Sequence, residues 1–376
     1  MRHLAFCLLT LALACGDDDG MTGMDSGPDP DSGTTDAGTD SATDMDADVS
    51  CTPRDPSSIP NPGSCTAEAS DYAVCVDDTW PECVSDTGEY SRIEMSISTI
   101  ARVRAFEDIA ELIFDPESDA SSDDFLMARE LYQEEEGLDS RVVRRFDPHF
   151  TVPDGTDCTL TDTPGMFPDY CVGPSTLQPV LLDAFAEGIA GNSPRVQAGR
   201  IEGALIWFLY ASVYKESVTC ETKAKDCDST YAYYTGGEEA RGGIGLSRYV
   251  REVNEYAHDR AWDGVFAVRC WRDLDSGDVA EDLARAQTAR TQLDRAVLVG
   301  YAGFIAARLR ATAAATGDAQ AYHWAFVQNA APALDRSYQD LDSTEAAALA
   351  TALEGAPGDS DLGALADALE ATYGCP

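Results

Sequence analysis

Between residues 93 and 114 the apolar positions Ile97, Ile100, Val103, Phe106, Ala110 and Ile113 recur every three or four residues, which predicts a helix with one buried stripe. A second helix runs through Phe125, Met127, Leu131 and Tyr132; Ser122 or Asp123 can cap it, and Gly137 ends it. The stretch 146–179 holds several Pro and Gly residues and two cysteines and reads as a long ordered loop. Helical periodicity resumes over 180–190. Ser193-Pro194, an N-cap residue with Pro at the first helical position, then opens a long helix to about residue 217. Its middle, 204–214 (ALIWFLYASVY), is about eleven residues long, too short to span a bilayer, and reads as a buried core helix. Further helices are expected at about 246–272, 278–315, 318–334, 343–353 and 361–372. Alternating β-branched runs between hairpin turns are lacking, so the predicted fold class is all-α, a multi-helix bundle over 89–376.

The pattern changes before that bundle. Residues 51–88 are rich in Pro and Cys and poor in apolar positions, which predicts an irregular, disulfide-held N-terminal cap. Residues 16–50 contain eleven Asp, no Lys, Arg or Glu, no aromatic residue and almost no aliphatic one. Such a segment cannot bury enough surface to offset its ordering entropy, so 15–50 reads as a disordered acidic tether. Its Asp spacing lacks the D-x-D-x-D-G pattern with a terminal Glu that calcium loops use.

Met1-Arg2-His3 followed by the apolar run 4–13 has the form of a signal peptide, residues 1–14. Leu11-Ala12-Leu13-Ala14-Cys15 is similar to a bacterial lipobox, which makes Cys15 a lipidation site and anchors the chain to a membrane without a spanning helix. Ordinary cleavage after Ala14 is the alternative, since Ala12-Leu13-Ala14 also has the A-x-A form. The expected location is a bacterial cell envelope, at the outer membrane or periplasmic face.

Composition sharpens this. Twenty-six basic against 67 acidic residues give a formal charge of −41, which argues against a nucleic-acid partner. Eleven of those charges belong to the tether, and once Arg2 of the signal segment is set aside as well, about −31 remains on the rest, favouring a cation as ligand over an anion. Ten cysteines follow Cys15, at 51, 65, 75, 83, 158, 171, 220, 227, 270 and 375, an even count that implies disulfides in an exported protein. The expected pairing keeps the first four among themselves and joins Cys158 to Cys171, Cys220 to Cys227 and Cys270 to Cys375.

Catalytic motifs are sparse. H-E-x-x-H, G-x-S-x-G and Walker loops are absent, and Ser212-Val213-Tyr214-Lys215 matches S-x-x-K without its partner elements. No enzyme activity is expected, although a hydrolase without a recognisable motif stays open. Carboxylates and phenols remain, and these suit hard or borderline cations such as iron, manganese or calcium in a helical bundle. The candidate metal ligands are Glu202 and Glu216 on the long helix, Asp228 and Tyr231 after it, His258, Asp259 and Asp263 on the next, with Glu255 nearby, and His323. Glu255, Asp259 and Asp263 are spaced by four and can share a helical face. Arg141, Arg144 and Arg145 also share a face, and internal salt bridges are their expected role.

Several stretches together resemble the iron-assimilating, high-CO2-inducible periplasmic proteins of green algae and their bacterial relatives. They are Phe106-Glu107-Asp108-Ile109-Ala110 after Ala101-Arg102-Val103-Arg104, and Gly137-Leu138-Asp139-Ser140-Arg141-Val142-Val143-Arg144-Arg145 with Asp147 and His149. The helix at 204–217 followed by Asp228-Ser229-Thr230-Tyr231-Ala232-Tyr233-Tyr234-Thr235-Gly236 is similar to that family's apolar helix and aromatic stretch. Trp324-Ala325-Phe326 with Ala331-Pro332 resembles a later element. Together these cover most of residues 90–350. The family's acidic or His-Glu positions in the central helix are here Val213, Tyr214 and Glu216, and the Glu before the late aromatic run is Tyr322. The resemblance implies an exported helical protein that binds iron, Fe2+ or Fe3+, for uptake. The rival expectation is a non-catalytic cell-envelope module that binds a protein or glycan.

Overall fold

The computed structural model describes residues 97–134, 137–238, 242–273 and 283–374. The signal segment, Cys15, the tether, the cap and the Cys270–Cys375 pairing lie outside the described residues or side chains. All regular structure among the described residues is helical, so the all-α bundle holds.

In chain order the α-helices are α1 (Ser98–Ile113), α2 (Ser122–Gln133), α3 (Asp139–Val142), α4 (Thr163–Met166), α5 (Gln178–Ile189), α6 (Pro194–Thr219) and α7 (Lys225–Thr235). There follow α8 (Leu246–Val253), α9 (Glu255–Asp273), α10 (Leu283–Ala314), α11 (Gly317–Ala330), α12 (Asp335–Leu341), α13 (Ser343–Leu353) and α14 (Leu362–Tyr373). The α1 stripe buries Val103, Phe106, Ile109 and Ile113 as its periodicity requires. Helix α2 is capped one residue before the expected position, by Ser121 in a reciprocal box with Asp124.

Helix α6 is the axis of the bundle, with Ile201, Leu205, Ile206, Phe208, Leu209 and Val213 buried around its circumference. Helices α5, α7 and α11 pack against it. Gly199 and Gly203 let α11 approach closely: a Cβ at Gly203 would stand 2.6 Å from the Phe326 carbonyl oxygen, and one at Gly199 would collide with that of Tyr322. Pro194 sits at the first helical position as expected, but Ser193 adopts φ +49° and its side chain makes no capping bond. The chain enters α6 through a left-handed turn, so Ser193 is a turn residue rather than a cap.

Two expected elements differ. The aromatic run around Tyr231 belongs to a helix of its own, α7, ended by Gly236 at φ +72°. The single helix expected over 246–272 is two, because Asn254 leaves the helical region (φ −151°, ψ 92°) and its Oδ1 accepts the Ala257 N–H at 2.9 Å, starting α9 afresh.

Cys158–Cys171 and Cys220–Cys227 are bonded, with Cα separations of 5.3 and 5.0 Å. The first closes the loop before α5, which is ordered as expected and contains α4 and a π turn; the second closes the α6–α7 connection. Helix α10 is long and apolar enough over Ala286–Ala314 to cross a membrane by length and composition alone. Most of it is buried against α8, α9, α11 and α14, which makes it a core helix of this body.

Candidate functional site

A cavity of about 550 Å³ opens where α1, α8 and α10 diverge over α6 and α11. Glu202 lies at its base, 1% exposed. Its carboxylate accepts the Tyr249 hydroxyl at 2.6 Å, the Tyr322 hydroxyl and an N–H of Arg308. Those groups come from four helices, α6, α8, α10 and α11, so the carboxylate ties the bundle together at this point. Burial and the Glu202 charge push both phenols well above their ordinary range, so they stay protonated and donate to the carboxylate. For Arg308 burial works against the charge, but Glu202, Tyr249 and Tyr322 together outweigh it and the guanidinium is held more firmly protonated than usual.

Arg308 also reaches His323, its Nη1 lying 3.0 Å from Nδ1. A guanidinium can only donate, so Nδ1 accepts and the imidazole proton resides on Nε2. Burial, then the Arg308 charge, lowers the His323 pKa, and the ring stays neutral. The same guanidinium packs over the Phe326 ring at 4.5 Å. Higher on the wall, Glu107 accepts the Gly245 N–H at 2.6 Å and Arg248 at 3.2 Å. Glu111 and Glu252 stand exposed at the mouth, and Phe114, Phe304 and Val253 supply apolar wall.

The expected metal ligands divide among three places. Glu202 and His323 meet Arg308 at the cavity base. Glu216 is buried with Arg145 and Lys215, each 3.1 Å away; burial opposes its charge, yet Lys215 and Arg145 hold its pKa below the usual carboxylate range. Arg145 therefore has the internal ion pair expected of it.

The remaining candidates lie on α7 and α9, which pack together. Tyr234 hydroxyl and His258 Nδ1 are 3.1 Å apart, the Tyr231 and Trp262 rings 6.4 Å apart, and Asp228 lies 3.9 Å from Arg269. Falling numbers on α7 meet rising numbers on α9, so the two helices run antiparallel, with Asp228 and Tyr231 on one and His258, Asp259 and Asp263 on the other. Asp228 and Asp263 are both fully buried. Tyr231 donates to the Glu238 carbonyl at 2.7 Å. Among the described residues, no three His, Cys, Asp or Glu side chains are gathered as a metal ion needs.

Another buried cluster was not among the expected sites. His149 lies between Asp147 (Nδ1 to Oδ1, 2.6 Å) and Asp294 (Nε2 to Oδ2, 2.9 Å), and its ring stacks on Tyr214 at 3.5 Å. Tyr210 donates to the other Asp294 oxygen at 2.9 Å. Burial would lower the His149 pKa, but Asp294 and Asp147 outweigh it and raise it to about 9. An imidazolium with a pKa of about 9 stays protonated near neutrality, so the cluster is a fastening between the loop before α5 and α10. Ser212 donates to the Phe208 carbonyl at 2.6 Å and Lys215 pairs with Glu216, so the S-x-x-K residues do not act on each other.

Of the cavity residues, sequence reasoning missed Arg308, Arg248 and Tyr249. One signal was present: Glu202 and Arg308 are opposite charges embedded in otherwise apolar stretches of two long helices, a pattern that demands a buried partner. No protein-family model, curated protein or solved structure matches this chain.

Proposed function

We propose that this chain is an exported, non-catalytic binding protein, held at a bacterial cell envelope through Cys15, whose ligand is a small polar solute seated in the cavity over Glu202. The observation that carries this reading is the pairing of open volume with a base of fixed polar groups: Glu202, Tyr249, Tyr322, Arg308 and His323 are held by one another. Sites of this kind combine apolar wall with a few polar groups that are already in place before the ligand arrives. Ala307 lines the cavity and is itself exposed, so Ala307→Trp fills the space without touching the base. A thermal-shift screen of small solutes should give hits that stabilise the parent protein and leave Ala307→Trp unchanged. Hits that stabilise both equally place the ligand elsewhere and reject the reading.

A second reading keeps the iron expectation, with iron as cargo. The burial of Asp228 and Tyr231 on α7 and of His258, Asp259 and Asp263 on α9, two helices packed together, favours it, since these donors suit a hard cation. The spacing of the donors stands against it, because no three of them are gathered among the described residues. Titration with Fe2+ and Fe3+ by calorimetry decides: saturable binding abolished by Asp263→Asn supports this reading, and its absence ends it.

A further inference from the structure

The charges lining the cavity are unevenly matched. Glu107 is met by Arg248 and the Gly245 N–H, and Glu202 by Arg308. That leaves Glu111 and Glu252, both exposed, as the remaining charges at the mouth. Glu252 shares Arg248 only from 3.8 Å, and Glu111 has no ion pair among the described residues. Four carboxylates against two guanidiniums and a neutral imidazole give the cavity a net negative charge, which repels anions and draws cations.

The base has the opposite polarity. With Nδ1 committed to Arg308, His323 offers only an Nε2–H, and Arg308 carries more N–H groups than Glu202 and His323 engage. The base therefore asks for an oxygen acceptor, while the mouth asks for a positive charge. Between them Phe114, Phe304 and Val253 offer apolar surface to a short carbon skeleton. A bare divalent ion fits poorly, because the Glu202 oxygens are already occupied by three donors.

Resting on the cavity reading above, we infer that the ligand is a small organic amine with an oxygen acceptor at its other end, its ammonium held by Glu111 and Glu252 and its oxygen by His323 and Arg308. Amino sugars and amino acids belong to this class.

Matched probes test it by calorimetry on the full chain: glucosamine against glucose, and 4-aminobutyrate against butyrate. The amine of at least one pair should bind at least about tenfold more tightly than its amine-free partner, a difference of about 1.4 kcal/mol. The Glu111→Gln/Glu252→Gln double variant should erase that preference, and both positions are exposed, so the fold should survive the change. Ala307→Trp should abolish binding altogether. If glucose or butyrate binds as tightly as its amine, or the double variant keeps the preference, the amine assignment is wrong while the cavity reading stands. If no probe binds in a manner sensitive to Ala307→Trp, both fail.

Discussion

Helix α6 carries two buried polar clusters roughly 12 Å apart along its axis, at Glu202 and beside Tyr210. In the first, a carboxylate of α6 is held by a cation of α10, Arg308. In the second, a carboxylate of α10, Asp294, is held by a cation of the preceding loop, His149. The chemistry is nearly a mirror image, and both clusters recruit tyrosine hydroxyls. They differ in room. The His149 ring is covered by Tyr214 at 3.5 Å, whereas Glu202 and Arg308 border about 550 Å³ of open volume. Buried charge alone is thus a poor guide to function in this molecule; buried charge beside unfilled space is the feature that marks a candidate site.

The largest effect should come from Glu202→Ala. It leaves Arg308 without its carboxylate and two phenols without an acceptor, and breaking a buried pair in this way costs about 3–5 kcal/mol. Urea denaturation monitored by circular dichroism measures it. A cost below about 1 kcal/mol would mean that water replaces the carboxylate through the cavity, and the contrast with the His149 cluster would then become sharper.

His149→Ala comes next. The folded pKa of about 9 lies above the ordinary 6.5, so the imidazolium contributes stability that is fully present below pH 6.5 and is lost as pH rises through 9. The difference corresponds to a contribution on the order of 3 kcal/mol. Unfolding free energy measured from pH 6 to 10 should fall in the parent protein and stay flatter over that window in His149→Ala. Parallel curves would show that the cluster is not fastened by charge.

Much of the fold could be read from the sequence because α1 and α14 keep their apolar period and Asp342 and Asp361 stand just before α13 and α14 as side chains that cap them. The division at Asn254 was not legible, since the apolar period continues across it and the break is made by one backbone conformation. Helix α7 was hidden because its face is Tyr, Thr and Asp, residues buried here through tertiary contacts rather than through hydrophobic pattern. The site was half legible. Glu202 and His323 were candidates from residue type, but the groups that define their chemistry, Arg308 and Tyr249, lie 106 and 47 positions from Glu202. No local spacing could join them, and the same holds for Asp294 and His149, 145 residues apart.

A smaller effect tests whether the two clusters share one rigid axis. Gly199→Ala places a methyl group against the Tyr322 carbonyl, so α11 must move away from α6, at about 1–3 kcal/mol. Tyr322 is a donor to Glu202, whereas His149 bonds to Asp147 and Asp294 and stacks on Tyr214, none of which lies on α11. The substitution should therefore shift the indole and phenol near-ultraviolet signal and weaken solute binding, while the pH dependence assigned to His149 persists. Loss of both would make the clusters one cooperative unit.

The smallest effect falls two residues from Arg308. Arg310 makes three short bonds, to both oxygens of Glu370 at 2.6 and 2.8 Å and to Asp367 at 2.7 Å, so by geometry alone it is the better-bonded cation. It is also exposed, with its partners, on the outer face of α10 and α14. Water already solvates those charges in the unfolded chain and competes for them in the folded one, so the network is worth about 0.2–1 kcal/mol per pair and less in high salt. Arg310→Ala should lower the urea midpoint only slightly in 50 mM salt and not measurably in 1 M, whereas Arg308→Ala, which strands the buried Glu202, should be costly in both. Equal sensitivity of the two variants to salt would mean that water reaches Glu202 as freely as it reaches Glu370, and the base of the cavity would no longer be the preorganised surface on which ligand binding depends.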